Sequence, residues 1–286
     1  MDRRRELLPL ATAAACALGI VVVGLLALVS HAGHERDSAI LYGFSLLWRD
    51  STDEPLRLIA RIPDPVPYAI LGIACIGVAL ARRRYWRAGT VAVLLLATGA
   101  TTHLAKHALS TPRVSQWLGP WGQVGNATFP SGHATAAMTL ALCAVLVSPP
   151  AHRATVALFG GAFAIAVGYA TLALTWHYPS DVVAGYLVAG FWVSLAIAVL
   201  QRVEHAEPEP VRPPPWEPLV LLGGVVAVVA AAVVALEAHA VSYYAQQRPT
   251  AVVGALLIAA LAMTLVALIS ASTGRGGPPG RSAPSQ

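Results

Sequence analysis

The sequence predicts an all-α, polytopic integral membrane bundle: a six-span core followed by two further spans. Three observations carry this. Hydrophobic residues make up 56% of the chain and charged ones only 12%, against about 25% charged in an ordinary soluble domain. Apolar runs recur along the chain, each near the roughly 20 residues a spanning helix needs. Arginines cluster between the runs, mostly on alternate sides.

The first run covers 7–30. Three arginines precede it, as in a signal peptide, but it is too long for a cleaved apolar region and reads as a retained span. Residues 31–65 are too long for a tight turn, and their stretch "SAILYGFSLLWRD" is amphipathic and aromatic, which predicts a helix lying at the interface. Runs at 66–82, 90–110, 133–148, 154–176 and 182–202 complete a core spanning residues 1–202. Residues 203–217, "VEHAEPEPVRPPPWE", form an acidic linker in which Pro213, Pro214 and Pro215 cannot continue a helix. Runs at 218–236 and 250–270 then make a two-span hairpin, and the glycine- and proline-rich tail 271–286 is expected to be disordered.

With a cytoplasmic N-terminus, Arg3 to Arg5, Arg82 to Arg84, Arg87, Arg153, Arg202, Arg212, Arg275 and Arg281 fall in inner loops, as the positive-inside rule favours. The outer loop 31–65 carries four arginines and six acids. The expected location is therefore the plasma membrane. The net charge of +5 reads as topology, and with no basic stripe outside the loops no nucleic-acid partner is expected. Cys16, Cys75 and Cys143 fall in three different spans without metal or redox spacing and read as small apolar filler.

Three polar islands interrupt this pattern. The first runs from Lys106, the one lysine beside eighteen arginines, to Arg113. The second is "FPSGHAT", holding Pro130, Ser131, Gly132 and His133; the third is "WHYPSD", holding His177 and Asp181. Span counting alone puts all three at the non-cytoplasmic face: the end of the third span, the start of the fourth, and the turn between the fifth and sixth. Ionisable groups at membrane depth are candidates for function.

The residue types suit phosphoryl chemistry, in which catalysis is mostly positioning and electrostatic stabilisation. Lys106 offers a point charge and Arg113 a planar fork for bidentate contact. Pro130 suits a helix start, which would put Ser131 and the Gly132 N–H at a helix N-terminus, a natural anion site. His177 can attack phosphorus through Nε2 if Asp181 accepts its Nδ1–H. His133 can protonate the leaving oxygen and later activate water.

These islands resemble the phosphatidic acid phosphatase type 2 superfamily, the lipid phosphate phosphatases. That family shows a lysine, six residues, then arginine and proline; then Pro-Ser-Gly-His; then Ser-Arg, five residues, histidine, three residues, aspartate. Lys106 and Arg113 match the first spacing, Pro130 to His133 the second, and His177 and Asp181 the third. The resemblance spans roughly residues 66–202. It implies His177 as nucleophile, His133 as acid and base, Asp181 as the partner of His177, and Lys106, Arg113, Ser131 and Gly132 as phosphate binders. It implies no metal and no other cofactor. It also implies a lipid phosphate substrate in the bilayer: polyprenyl diphosphate, phosphatidate or phosphatidylglycerophosphate.

Two positions depart from the pattern. Val114 replaces the proline after Arg113, and Thr171 stands where the family has its second arginine, preceded by Ala170 instead of serine. Thr171 can donate a hydrogen bond but brings no charge. His103, His107, Arg57 or Arg61 could supply the missing cation. An enzyme hydrolysing a lipid phosphate at the outer face is the leading expectation, with a lipid-phosphate binding protein that has lost turnover as the alternative. Trp117, Trp121 and Trp176 suit an interfacial aromatic belt. Sequence alone leaves the lipid tail and the oligomeric state open.

Overall fold

The computed structural model describes residues 3–109, 124, 125, 127–204, 244 and 246–273. Arg113, Trp117, Trp121, the expected span 218–236, most of the proline-rich linker and the tail lie outside the described residues. Within them the fold is all helix: α1 (Arg3–Leu28), α2 (His31–Ser45), α3 (Asp50–Arg61), α4 (Pro65–Ala81), α5 (Tyr85–Ala108), α6 (Gly132–Val147), α7 (Arg153–Ala173), α8 (Pro179–Val203) and α9 (Pro249–Thr273).

Among the described residues, five helices are long and apolar enough to cross a membrane: Leu7–Leu28, Tyr85–Ala108, Pro150–Ala173, Pro179–Val203 and Pro249–Thr273. α3 and α4 taken together meet the same length and composition, and they are bent by 49° at the break between them, as in a broken span or a re-entrant loop. The chain is a multi-pass membrane protein.

α6 has 16 residues, roughly 24 Å of rise, less than the roughly 30 Å hydrocarbon core. It can be short because its neighbours encase it. Met138, Leu142 and Leu146 of α6 lie in one buried cluster with Val91 and Leu94 of α5, Leu172 of α7, and Val182, Tyr186 and Val193 of α8. Ile258, Leu265 and Ile269 of α9 join the same cluster, so the last described helix shares the core of α1, α2 and α4 to α8.

Hydrogen bonds stitch the helices across that core, as apolar surroundings reward. Trp192 Nε1 donates to Thr101 Oγ1 at 3.0 Å, tying α8 to α5. The Tyr169 hydroxyl donates to the Ala255 carbonyl, tying α7 to α9.

The expected interfacial helix over residues 38–50 is not formed as one piece. α2 ends at Ser45, α3 begins at Asp50, and Asp37 and Ser38 are buried. The physical cause is polar. Asp37 accepts hydrogen bonds from the N–H and hydroxyl of Ser180 at the start of α8, which turns that face of α2 inward. α3 in turn lays Leu56, Ile59 and Ala60 against Ala170, Leu174 and Trp176.

Candidate functional site

The site lies at the end of the bundle where α5 finishes and α4, α6 and α8 begin. Local sequence fixes each piece. Ser131 caps α6, its Oγ accepting the Ala134 N–H at 3.2 Å. Pro130 therefore precedes the cap and is not the first helical residue. The free N–H groups of the first turn of α6 face the same end, where the helix dipole favours an anion.

α8 starts with Pro179, after Tyr178. Asp181, fully buried, turns one carboxylate oxygen back to accept the Tyr178 N–H at 2.9 Å. The Ser131 N–H donates to the Asp181 carbonyl at 2.9 Å, joining the start of α6 to the first turn of α8. A Cβ on Gly185 would sit 2.8 Å from the Ser131 carbonyl oxygen and 2.9 Å from Thr135 Oγ1, so only glycine permits this approach.

α7 ends in a left-handed turn. Thr175 has φ 55°, where glycine is the usual occupant and a β-branched residue is strained. The turn is held by the Trp176 N–H donating to the Thr171 carbonyl at 2.9 Å. It leads directly into Trp176 and His177, which lie against His133, with ring centroids 5.5 and 5.9 Å from it.

The three sequence islands thus meet. His177 is buried, with Nδ1 3.6 Å from Asp181 Oδ2. That is an ion-pair distance rather than a hydrogen bond, and among the described residues Nδ1 has no hydrogen-bond partner. Lys106, half-buried at the last turn of α5, brings Nζ within 3.7 Å of where a Cβ on Gly132 would lie. It lies within electrostatic range of Asp181 and His133, and it makes no hydrogen bond among the described residues. Lys106, Ser131, Gly132, His133, His177 and Asp181 therefore share one end of the bundle. Arg113 lies outside the described residues.

The two auxiliary candidates sit elsewhere. Thr171 is fully buried and its hydroxyl donates to the Gly168 carbonyl at 2.8 Å, so it has no proton to offer a ligand. His103 is exposed and lies tilted against His107, ring centroids 4.5 Å apart. Of the arginines considered as replacements, Arg57 is paired to Asp53 at 2.7 Å.

Sequence reasoning missed two carboxylates. Asp64 Oδ1 lies 3.3 Å from His133 Nε2, and Asp37 holds the first turn of α8. Asp64 had a usable signal: it precedes a proline at a span start on the same face as the islands. Asp37 had none, standing in an ordinary charged string.

A family model described as the PAP2 superfamily matches residues 87–204, the stretch from α5 to α8 that contains every island. The match covers 118 of the chain's 286 residues. No curated protein matches it. Among solved structures it is similar to the first transmembrane PAP2 type phosphatidylglycerolphosphate phosphatase from Bacillus subtilis, with TM-score 0.56, 20% identity, and coverage of 68% of this chain and 99% of that one. At that identity the likeness is one of fold. Asp37 and Asp64 precede the segment that the PAP2 model matches.

Proposed function

We propose that this protein hydrolyses a membrane lipid phosphate or diphosphate, without a metal ion, through a phosphohistidine. The observation that carries the reading is the meeting of two histidines, a buried aspartate and a lysine at a helix N-terminus, from parts of the chain up to 75 residues apart (Lys106 to Asp181).

His177 Nε2 attacks phosphorus while Asp181 holds Nδ1. A P–N bond forms as the P–O bond to the lipid breaks. The electron pair leaves with that oxygen, which takes a proton from His133. Water then attacks phosphorus and gives a proton back to His133, the P–N bond breaks, and phosphate leaves. Lys106 and the amides at the start of α6 face the charge that develops on the phosphoryl oxygens. The pair His177–Asp181 closes from its 3.6 Å separation as the ligand binds, in the way catalytic contacts tighten on substrate.

Charge placement favours an outer-face site in the plasma membrane. A membrane-embedded mouth favours a lipid headgroup, with phosphatidate, phosphatidylglycerophosphate and a polyprenyl diphosphate as the first substrates to offer. One observation favours the binding-protein alternative: with the Thr171 hydroxyl engaged, the third motif supplies no cation.

The test is phosphate release by the full chain in detergent with EDTA, from each of these three lipids, beside His177→Ala. The expected result is release that falls by at least about 10⁴-fold in the variant. Tight binding of a lipid phosphate with equal, negligible release by both proteins would overturn hydrolysis in favour of binding.

A further inference from the structure

Asp64 stands at the N-cap of α4, where a carboxylate ordinarily accepts the N–H of the second or third helical residue. The sequence removes much of that option. Pro65 and Pro67 occupy the first and third helical positions and have no N–H to give. The Asp64 side chain makes no capping hydrogen bond to α4. Its Oδ1 instead meets His133 Nε2 at 3.3 Å, across 69 residues of chain.

The backbone holds it there. The Asp64 N–H donates to the Arg61 carbonyl and the Tyr68 N–H to the Asp64 carbonyl, each at 2.9 Å. Ala60, four residues earlier, is buried against Ala170 and Leu174. The 49° bend between α3 and α4 falls at this segment, so the break in the helix pair delivers the carboxylate to the site. The other groups facing His133 are Lys106 and His177, and neither can balance a charge on its ring. Asp64 can.

We propose that Asp64 is the positioning residue for His133. It accepts the Nε2–H, orients the ring, and remains ionised while His133 gives a proton to the leaving oxygen and recovers one from water. This rests on the phosphatase reading above and extends it to a residue before the matched segment. His133 then has its own carboxylate, as His177 has Asp181.

A residue that serves the acid must matter most where the leaving group needs a proton. The experiment compares dodecyl phosphate, whose alkoxide is a poor leaving group, with a nitrophenyl phosphate carrying a dodecyl tail, a good one. Asp64→Asn in the full chain is expected to lose about tenfold in kcat/KM on the alkyl substrate and less than about twofold on the aryl one. Asp64→Glu should recover most of the alkyl activity. In a His133→Ala background, Asp64→Asn should cost nothing further. Equal loss on both substrates, no loss on either, or a loss that persists without His133 would each overturn the proposal.

If the unaltered protein hydrolyses neither of these nor any of the three lipids above, the phosphatase reading fails. The pairing itself is still decided by histidine ¹⁵N NMR of the full chain in detergent, with the His133 signals assigned by their absence in His133→Gln. A changed Nε2 signal in Asp64→Asn supports the pairing, and an unchanged one overturns it.

Discussion

The two ends of the bundle hold their cations in opposite ways. At one end Arg82 donates to the Val147 carbonyl at 2.6 Å, Arg87 to the Leu146 carbonyl at 3.0 Å, and Arg153 to the Ser148 carbonyl at 3.4 Å. Arg84 and Arg87 both reach Glu204. At the other end Lys106 makes no hydrogen bond among the described residues, and the buried His177 Nδ1 has no hydrogen-bond partner there. The first end uses its charges to close helix termini, because the last carbonyls of α6 have no partner within their own helix. The second sets Lys106, with no hydrogen bond among the described residues, beside a helix N-terminus. A bundle that wanted only stability would pair both ends. The difference marks which end is available to an anion.

If that contrast is right, substitutions at the open end should remove turnover and leave the fold, while substitutions at the closed end should do the reverse. After the nucleophile, the largest effect belongs to Lys106. Lys106→Met keeps the chain length and apolar stem but removes the charge next to Gly132. Loss of one preorganised group of this kind costs about 10²–10³-fold in kcat. The thermal midpoint should hold or rise, since a half-buried cation without a hydrogen bond contributes little to stability. A loss of turnover matched by an equal loss of folded protein would break the contrast.

Asp37 tests the open end from one layer further out. Its carboxylate grips Ser180 through two hydrogen bonds, and Ser180 is followed by Asp181, the partner of His177. On the proposed mechanism, Asp37→Ala should lower kcat about tenfold with KM changed less than about twofold, because His177 is misaligned while Lys106 and Gly132 are untouched. Ser180→Ala, which keeps the backbone bond, should show a smaller loss of the same kind. A drop in KM-dependent binding alone would assign Asp37 to the fold rather than to the nucleophile.

Much of this organisation was legible in the sequence, and the unread parts share a cause. Apolar runs located α1 and α4 to α9, and counting them placed Lys106, His133 and His177 at one end, because helices in a bundle alternate direction. What counting cannot supply is the rotation of each helix about its axis. His103, a candidate for the missing cation, is exposed and lies against His107. Asp37 looked like a loop acid and is buried. Asp64 reaches His133 only through the bend between α3 and α4, which a linear pattern does not encode. Thr171 was read as a loss of charge. The structure adds why no arginine fits simply: the position is fully buried, beside Ala170 packed on Ala60 of α3.

The smallest effect on turnover belongs to the closed end. Glu204 accepts from Arg87 Nε at 3.1 Å and from Arg84 at 3.5 Å, with all three side chains largely buried. Glu204→Gln keeps the shape and some hydrogen bonding but leaves two arginines without their counter-charge. Breaking one partner of a buried pair is costly even where the intact pair adds little. The retained contact of Arg87 to the Leu146 carbonyl softens the loss. The expected cost is about 1–3 kcal/mol, read as a thermal midpoint lower by several degrees in detergent. The kcat of the folded fraction should stay within about twofold, because the length of α6 separates this end from His133. If Glu204→Gln instead lowered kcat as far as Asp37→Ala does, the two ends would be coupled, and the arginine clamp would belong to the catalytic machinery rather than to the scaffold.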